Sequence, residues 1–484
     1  MAESNSPSSS LARNTGIFTT ALVGQKIVSF LYFTFLARLL GPADIGKYVL
    51  ALSLTTIFSV LLDLGLAQLL TRQVARDRTW ADRYLKSIVG FKLSISLLVV
   101  GLVILTAHIL GYPEITLQLV YLASLVMVID SFTLTAYSLL RGWQVLTWES
   151  FGTIGMQLGV ALLGLAVSWF SRDLRLFMVA LLAAALFNMV FAWYQVKHRF
   201  KINFKPDFSK QSWVFLGSLV WPFTLAAVLT RLYGSIDSVL LSVLSGDRAV
   251  GLYSVPYKVT YAWQFIPAAF AATLFPGFSA YFKTAKDKLG DIFVRSVVYL
   301  AALGWPISLG IAVLAPKIIN SLYPAYSESI VPLQILIMSL VFLFITFPIG
   351  SLLPACDRQK RHTTNIALAT LVNIVLNLIL IPVYGASGAA WAALISTLVL
   401  LVTGWQVVGE IIIYDKKFLY SRLVKILGAG LLMAALVGFL SNRINFVLDI
   451  FIGAVCYVIL LFVWGGITKS EILYFWSVIK HKKV

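Results

Sequence analysis

Cysteine and histidine are nearly absent from this 484-residue chain, which has two of the first and four of the second. Cys356 and Cys456 fall in separate apolar runs. His108, His198, His362 and His481 stand apart with no HExxH spacing. No disulfide framework and no Cys/His metal centre can be assembled from such a set. Charge is also scarce, at 12% Asp, Glu, Lys and Arg, against about 25% in soluble domains. Acids are the rarer sign, 20 against 38 basic residues. No GxxxxGK[ST] occurs, because Gly465-Gly466-Ile467-Thr468-Lys469-Ser470 lacks the glycine spacing that wraps backbone around phosphate. Long polar loops are missing too; the longest runs from Lys197 to about Ser212, too short for a nucleotide-binding or sugar-nucleotide-binding domain. ATP-driven chemistry, metal catalysis and any resident cofactor are therefore not expected.

What fills the chain instead is apolar sequence: 60% hydrophobic residues and a mean hydropathy of +0.90. Runs near the ~20 residues that cross a bilayer predict spans over 15–38, 47–68, 84–107, 116–140, 149–170, 174–196, 220–243, 250–275, 292–315, 329–353, 363–383, 386–411, 422–440 and 446–467. The first run is too long for a signal-peptide core of about 7–15 residues, so it is read as a retained span. The expected fold is an all-α integral membrane protein of about fourteen transmembrane helices.

The net charge of +18 sits mostly between spans. With the N-terminus cytoplasmic, the inner segments hold 24 Lys and Arg and the outer segments 7, a positive-inside asymmetry that predicts both termini in the cytoplasm of a multi-pass cell-membrane protein. Nucleic acid is not an expected partner, since the excess is a topology signal. The divisions that follow are a tail at 1–14, a first lobe at 15–197, a linker at 198–219, a second lobe at 220–411, and two further helices with a tail at 412–484.

The two lobes are read from an internal repeat. Leu40-Gly41-Pro42-Ala43-Asp44-Ile45-Gly46-Lys47-Tyr48 returns as Ser245-Gly246-Asp247-Arg248-Ala249-Val250-Gly251-Leu252-Tyr253, with three identities at one offset of 205. The same offset carries span 15–38 onto span 220–243. Parallel halves around a central cavity are a transporter architecture.

The residues of the first hairpin, Leu36-Ala37-Arg38-Leu39-Leu40-Gly41-Pro42, Gly46-Lys47-Tyr48 and Asp63-Leu64-Gly65-Leu66 before Thr71-Arg72, resemble those of Wzx-type oligosaccharide flippases, members of the multidrug/oligosaccharidyl-lipid/polysaccharide exporter superfamily. Ile236-Asp237-Ser238-Val239-Leu240-Leu241, Val250-Gly251-Leu252-Tyr253 and Tyr257-Lys258 are similar to their seventh and eighth spans, and Tyr384-Gly385-Ala386-Ser387-Gly388-Ala389-Ala390-Trp391 to their turn between spans eleven and twelve. The resemblance implies a protein that flips an isoprenoid-pyrophosphate-linked glycan across the cytoplasmic membrane by alternating access, for surface polysaccharides such as O-antigen, lipopolysaccharide or exopolysaccharide. Membrane lipids, and polymerase and chain-length machinery, would be its neighbours.

A diphosphate cargo needs cations shielded from lipid, and a charge near a span centre costs about 2.5–3.5 kcal/mol on insertion scales, so it should face a cavity or a partner. Lys26 lies mid-span, and the offset of 205 lands on Arg231, also mid-span; these two are the first substrate-binding candidates. Lys92 and Lys258 lie a third of the way in and either extend that lining or snorkel on their long stems. Lys86, Arg295 and Lys425 sit at cytoplasmic span ends as topology charges. Tyr253, Tyr257, Tyr261 and Gln264 recur at helical spacing; Tyr257, Tyr261 and Gln264 are candidates for stacking and hydrogen-bonding sugars, Tyr253 for the aromatic belt. Asp130, Asp237 and Asp63 are candidates for a coupling H⁺ or Na⁺; Asp63 and Asp237 are read rather as holding helix ends or neutralising Lys and Arg, which makes Asp130 the better coupling candidate. Pro222, Pro256, Pro267, Pro276, Pro306 and Pro348 interrupt apolar runs and invite kinks.

Two rival readings differ in class. An ion-coupled drug or metabolite antiporter would carry central carboxylates without paired cations. A membrane-embedded polysaccharide polymerase would carry a long external loop, and enzymatic activity is not expected because no outer loop is long.

Overall fold

The computed structural model describes residues 7–200, 205–441 and 443–468. Its elements are α1 (Pro7–Asp63), α2 (Leu66–Arg76), α3 (Ala81–Ile109), α4 (Glu114–Gly142), α5 (Thr147–Ser168), α6 (Leu174–Phe200), α7 (Lys210–Ser245), α8 (Asp247–Tyr261), α9 (Phe265–Thr284), α10 (Lys286–Leu322), α11 (Ile330–Ala355), α12 (Gln359–Ile411), α13 (Lys416–Leu440) and α14 (Phe446–Val463). Among the described residues, twelve helical stretches are long and apolar enough to cross a membrane. Two of them, in α1 and α12, hold a span on each side of a glycine with non-helical angles, Gly41 (φ 79°) and Gly385 (φ 53°). Fourteen crossings result, as the hydropathy predicts.

Reversal at Gly385 follows from packing. A Cβ on Gly388 would lie 2.3 Å from the Leu380 carbonyl oxygen, whereas an uninterrupted helix would separate these residues by about 12 Å along its axis. Positive φ costs glycine nothing, which is why the turn falls there. The prolines behave otherwise: Pro306 and Pro348 lie inside α10 and α11, where no backbone angle leaves the helical region. The break near Pro267 is the 3-10 turn Ala262–Gln264, which joins α8 to α9. Helix extends back to Pro7, into the stretch expected as a tail.

By compactness the chain divides within α8, into Met1–Ser254 and Val255–Val484. In the first unit α1 packs on α3, α4, α5 and α7. Beside it, Leu69, Leu70 and Val74 of α2, Leu85 and Ile88 of α3, Leu139 and Leu140 of α4 and Val196 of α6 close one buried cluster. The segment before α7 is docked onto α3, where Asp207 N–H donates to Lys86 O (3.1 Å) and a Cβ on Gly90 would meet Asp207 O at 2.0 Å.

In the second unit α10 packs on α11 and α13, α11 on α12, and α13 on α14. Several polar side chains between spans are paired, as hydrocarbon favours. Tyr457 Oη donates to Ala302 O (2.8 Å), Asn377 Nδ2 to Asn373 Oδ1 (3.1 Å), and Lys317 Nζ to the buried Asp449 (3.2 Å).

Candidate transport site

The repeat seen in the sequence is physical. Gly41 and Gly246, related by the offset of 205, have φ of 79° and 81°. Five residues on, a Cβ at Gly46 would lie 1.7 Å from Asp247 O, and a Cβ at Gly251 would lie 1.7 Å from Pro42 O. Adding 205 to Pro42 gives Asp247, and subtracting it from Gly251 gives Gly46, so the two contacts are copies of one contact exchanged by a local pseudo-two-fold. Real side chains do not approach that closely; the two hairpins meet backbone on backbone because both positions are glycine.

Lys26 and Arg231 lie 15 residues before Gly41 and Gly246, about 22 Å along each helix, so the same pseudo-two-fold exchanges them at matching depth. α1 and α7, which carry them, pack against each other. Both side chains are exposed on the protein surface. No hydrogen bond or ion pair reaches either one from the described residues. Arg231 does not pair with Asp237: that carboxylate, 7% exposed, accepts from Tyr253 Oη at 2.8 Å. Tyr253 is thus a buried partner of an acid and not part of an aromatic belt.

The other expected cation of the first unit has a different role. Lys92 is fully buried, and its Nζ donates to Asp63 Oδ1 and to Ser131 O, both at 3.0 Å. It neither snorkels nor stands free beside Lys26; it ties the end of α1 to α4 through α3. Arg141 and the buried Glu149 form a two-pronged pair nearby across the α4–α5 turn, with Nε donating to Oε2 at 2.8 Å. Asp130, one residue from Ser131, is exposed, and no hydrogen bond or ion pair reaches it from the described residues. Lys86 and Arg295 make one-turn pairs with Asp82 and Asp291 at helix ends.

In the second unit Lys258 is half-buried in the last turn of α8. The Tyr257 and Tyr261 rings, 4.3 Å apart between centroids, form a tilted stack, and Gln264 is half-buried in the 3-10 turn that follows. An apolar groove of about 660 Å³ opens among α10, α13 and α14, lined by Trp263, Pro306, Leu314, Met433, Ile450 and Tyr457. Hydropathy does not reveal this groove, because its residues are ordinary span residues until three helices bring them together. No cluster of three metal-ligating side chains occurs among the described residues.

The sequence profile of a family described as "Polysaccharide biosynthesis protein" matches residues 11–282. The chain belongs to this family. Its relatives include the "Probable low-salt glycan biosynthesis flippase Agl15" of Haloferax volcanii, 24% identical over 92% of this chain and 93% of that protein. The "Capsular polysaccharide biosynthesis protein CapF" of Staphylococcus aureus is 21% identical over 81% of this chain and 98% of its own length. Among solved structures, the fold matches the lipid II flippase MurJ in an inward closed conformation, with a TM-score of 0.76 at 16% identity over 95% of this chain and 99% of that one. It also matches an inward-facing multidrug resistance MATE transporter, with a TM-score of 0.60 at 14% identity over 84% and 94%. The expected superfamily fold is therefore the one adopted, and the relatives Agl15 and MurJ are named as flippases.

Proposed function

We propose that the protein is a flippase that carries an isoprenoid-pyrophosphate-linked glycan from the inner to the outer leaflet by alternating access. The observation that carries this reading is the pair Lys26 and Arg231: two cations at one depth, exchanged by a pseudo-two-fold and free of carboxylate partners among the described residues. A diphosphate matches that arrangement, since its two charged groups can be held from two sides, and arginine can engage phosphate through two parallel hydrogen bonds. An organic cation would find repulsion there, which disfavours the antiporter reading. The stacked Tyr257 and Tyr261, with Lys258 and Gln264 close in sequence, suit sugar rings and hydroxyls. The apolar groove suits a lipid chain. The names of the relatives favour a glycan cargo.

The experiment is complementation of a flippase-deficient strain together with transport in proteoliposomes. Lys26→Ala and Arg231→Ala should each lower the rate by at least about thirty-fold, the equivalent of about 2 kcal/mol for a charge partner of the diphosphate lost, with insertion unchanged. Arg295→Ala, whose cation is an exposed partner of Asp291, should have little effect. Normal flipping by both central variants would overturn the assignment. Return of the empty carrier would draw on an ion gradient or the membrane potential, with Asp130 as the coupling carboxylate; Asp237 and Asp63 already have partners.

A further inference from the structure

The connection between the second and third crossings is expected to be a loop, and it contains a helix instead. Leu64 (φ 46°) and Gly65 (φ 86°), two successive left-handed residues, turn the chain out of α1 and into α2. Leu66, Leu69, Leu70 and Val74 repeat at helical spacing and are buried. A Cβ on Gly142 would touch Val74, and Thr71 Oγ1 donates to Ser138 O at 2.9 Å. The apolar side of α2 is thus taken up by the protein and is not free to enter a bilayer. What remains outside is basic.

Arg72 and Arg76, one turn apart, and Arg78 beyond them are exposed, and no ion pair reaches them from the described residues. The nearby acids do not balance them. Asp77 Oδ1 accepts from the N–H and hydroxyl of Thr79 (2.9 and 2.8 Å), which holds its carboxyl below the usual range and so ionised, but its single charge stands against three arginines, and Asp82 pairs with Lys86 at 2.6 Å. Trp80 stands 42% exposed where the chain enters α3, with the Arg83 guanidinium 5.4 Å from its ring centre and Tyr84 edge-on to it. An exposed tryptophan at the mouth of a span marks the headgroup layer, so the arginines on either side of it lie at the same level.

We propose that α2 and the turn after it form a site for anionic phospholipid headgroups, with Arg72, Arg76 and Arg78 binding phosphate and Trp80 seated in the interface beside it. The choice of lipid over a soluble anion rests on that level. The choice of anionic over zwitterionic lipid rests on three exposed arginines beside the single carboxylate of Asp77, an excess of positive charge that a zwitterion does not answer. Guanidinium is the group suited to phosphate at such a surface, and each basic residue near an anionic leaflet strengthens binding about five-fold.

The test uses the full-length protein in nanodiscs of phosphatylethanolamine with increasing phosphatidylglycerol, read by native mass spectrometry for retained lipid and by thermal unfolding. The wild type should retain phosphatidylglycerol preferentially and unfold at higher temperature as it is added. The triple variant Arg72→Gln, Arg76→Gln, Arg78→Gln should lose that preference by at least about a hundred-fold, yet unfold like the wild type in phosphatidylethanolamine alone, because none of the three side chains is buried. Arg443→Gln, just past the end of α13, should retain phosphatidylglycerol normally. Equal retention by the triple variant, or no lipid preference in the wild type, would overturn the proposal. So would a triple variant that keeps phosphatidylglycerol but loses a pyrophosphate-linked lipid, which would make the patch an entry point for cargo.

Discussion

Lys92 shows how far depth alone identifies a charge. Its position along the span is plain from the sequence, but its azimuth and its partner are not, because Asp63 and Ser131 are 29 and 39 residues away and meet it only through packing. A buried ion pair contributes little net stability, yet removing one member leaves the other charge without compensation, at a cost of about 3–5 kcal/mol. Lys92→Met should therefore lower the thermal stability of the detergent-solubilised protein by about that amount. Adding Asp63→Leu should restore much of the loss. A double variant as unstable as the sum of the singles would mean that the two side chains act independently. Lys26 and Arg231 illustrate the converse. Their relation was legible, because one numerical offset links turn, contact and cation, and helix geometry converts that offset directly into equal depth.

Among the elements, spans were legible because hydrocarbon demands long apolar helices, and so were the turns at Gly41 and Gly385, because glycine accepts the positive φ they need. α2 was missed although Leu66, Leu69, Leu70 and Val74 carry the helical period; at 11 residues it is far shorter than a span, and a search for spans passes over it. The contact between the two repeats was invisible as well, since a glycine in sequence does not say what will pack on it. That contact makes a sharp prediction. A methyl group at residue 46 would sit 1.7 Å from Asp247 O, so the hairpins must part in Gly46→Ala, with an overpacking cost of about 1–3 kcal/mol. If this crossing closes the outer end of the transport path, the cost falls only on the closed state. A Lys26→Cys side chain should then react about ten-fold faster with an impermeant thiol reagent from outside when Gly46→Ala is present. Gly24→Ala, which has nothing within 4 Å, should leave the rate unchanged. Equal rates in all three proteins would show that the glycine contact does not gate access.

For the whole molecule, sidedness reduces to parity. Six crossings separate Glu114, before α4, from Ser327, after α10, so both should lie on one face. α10 runs from Lys286 to Leu322, about 55 Å, and cannot lie within one leaflet of a hydrocarbon core about 30 Å thick. From Ser327 to Lys416 the count depends on α12. Its 53 residues would form one strongly tilted crossing if the helix were continuous, and Lys416 would return to the face of Ser327. Folded back at Gly385 it crosses twice, and Lys416 emerges opposite. The excess of Lys and Arg independently predicts Lys416 on the cytoplasmic face and Glu114 on the outer one. In a protein lacking its two native cysteines, Glu114→Cys and Ser327→Cys should be labelled by an impermeant reagent on intact cells, and Lys416→Cys only after the membrane is opened. All three positions are exposed, so a failure to label would report sidedness and not burial. Labelling of Lys416→Cys on intact cells together with Ser327→Cys would mean that α12 crosses once, that the chain has an odd number of spans, and that its termini lie on opposite sides.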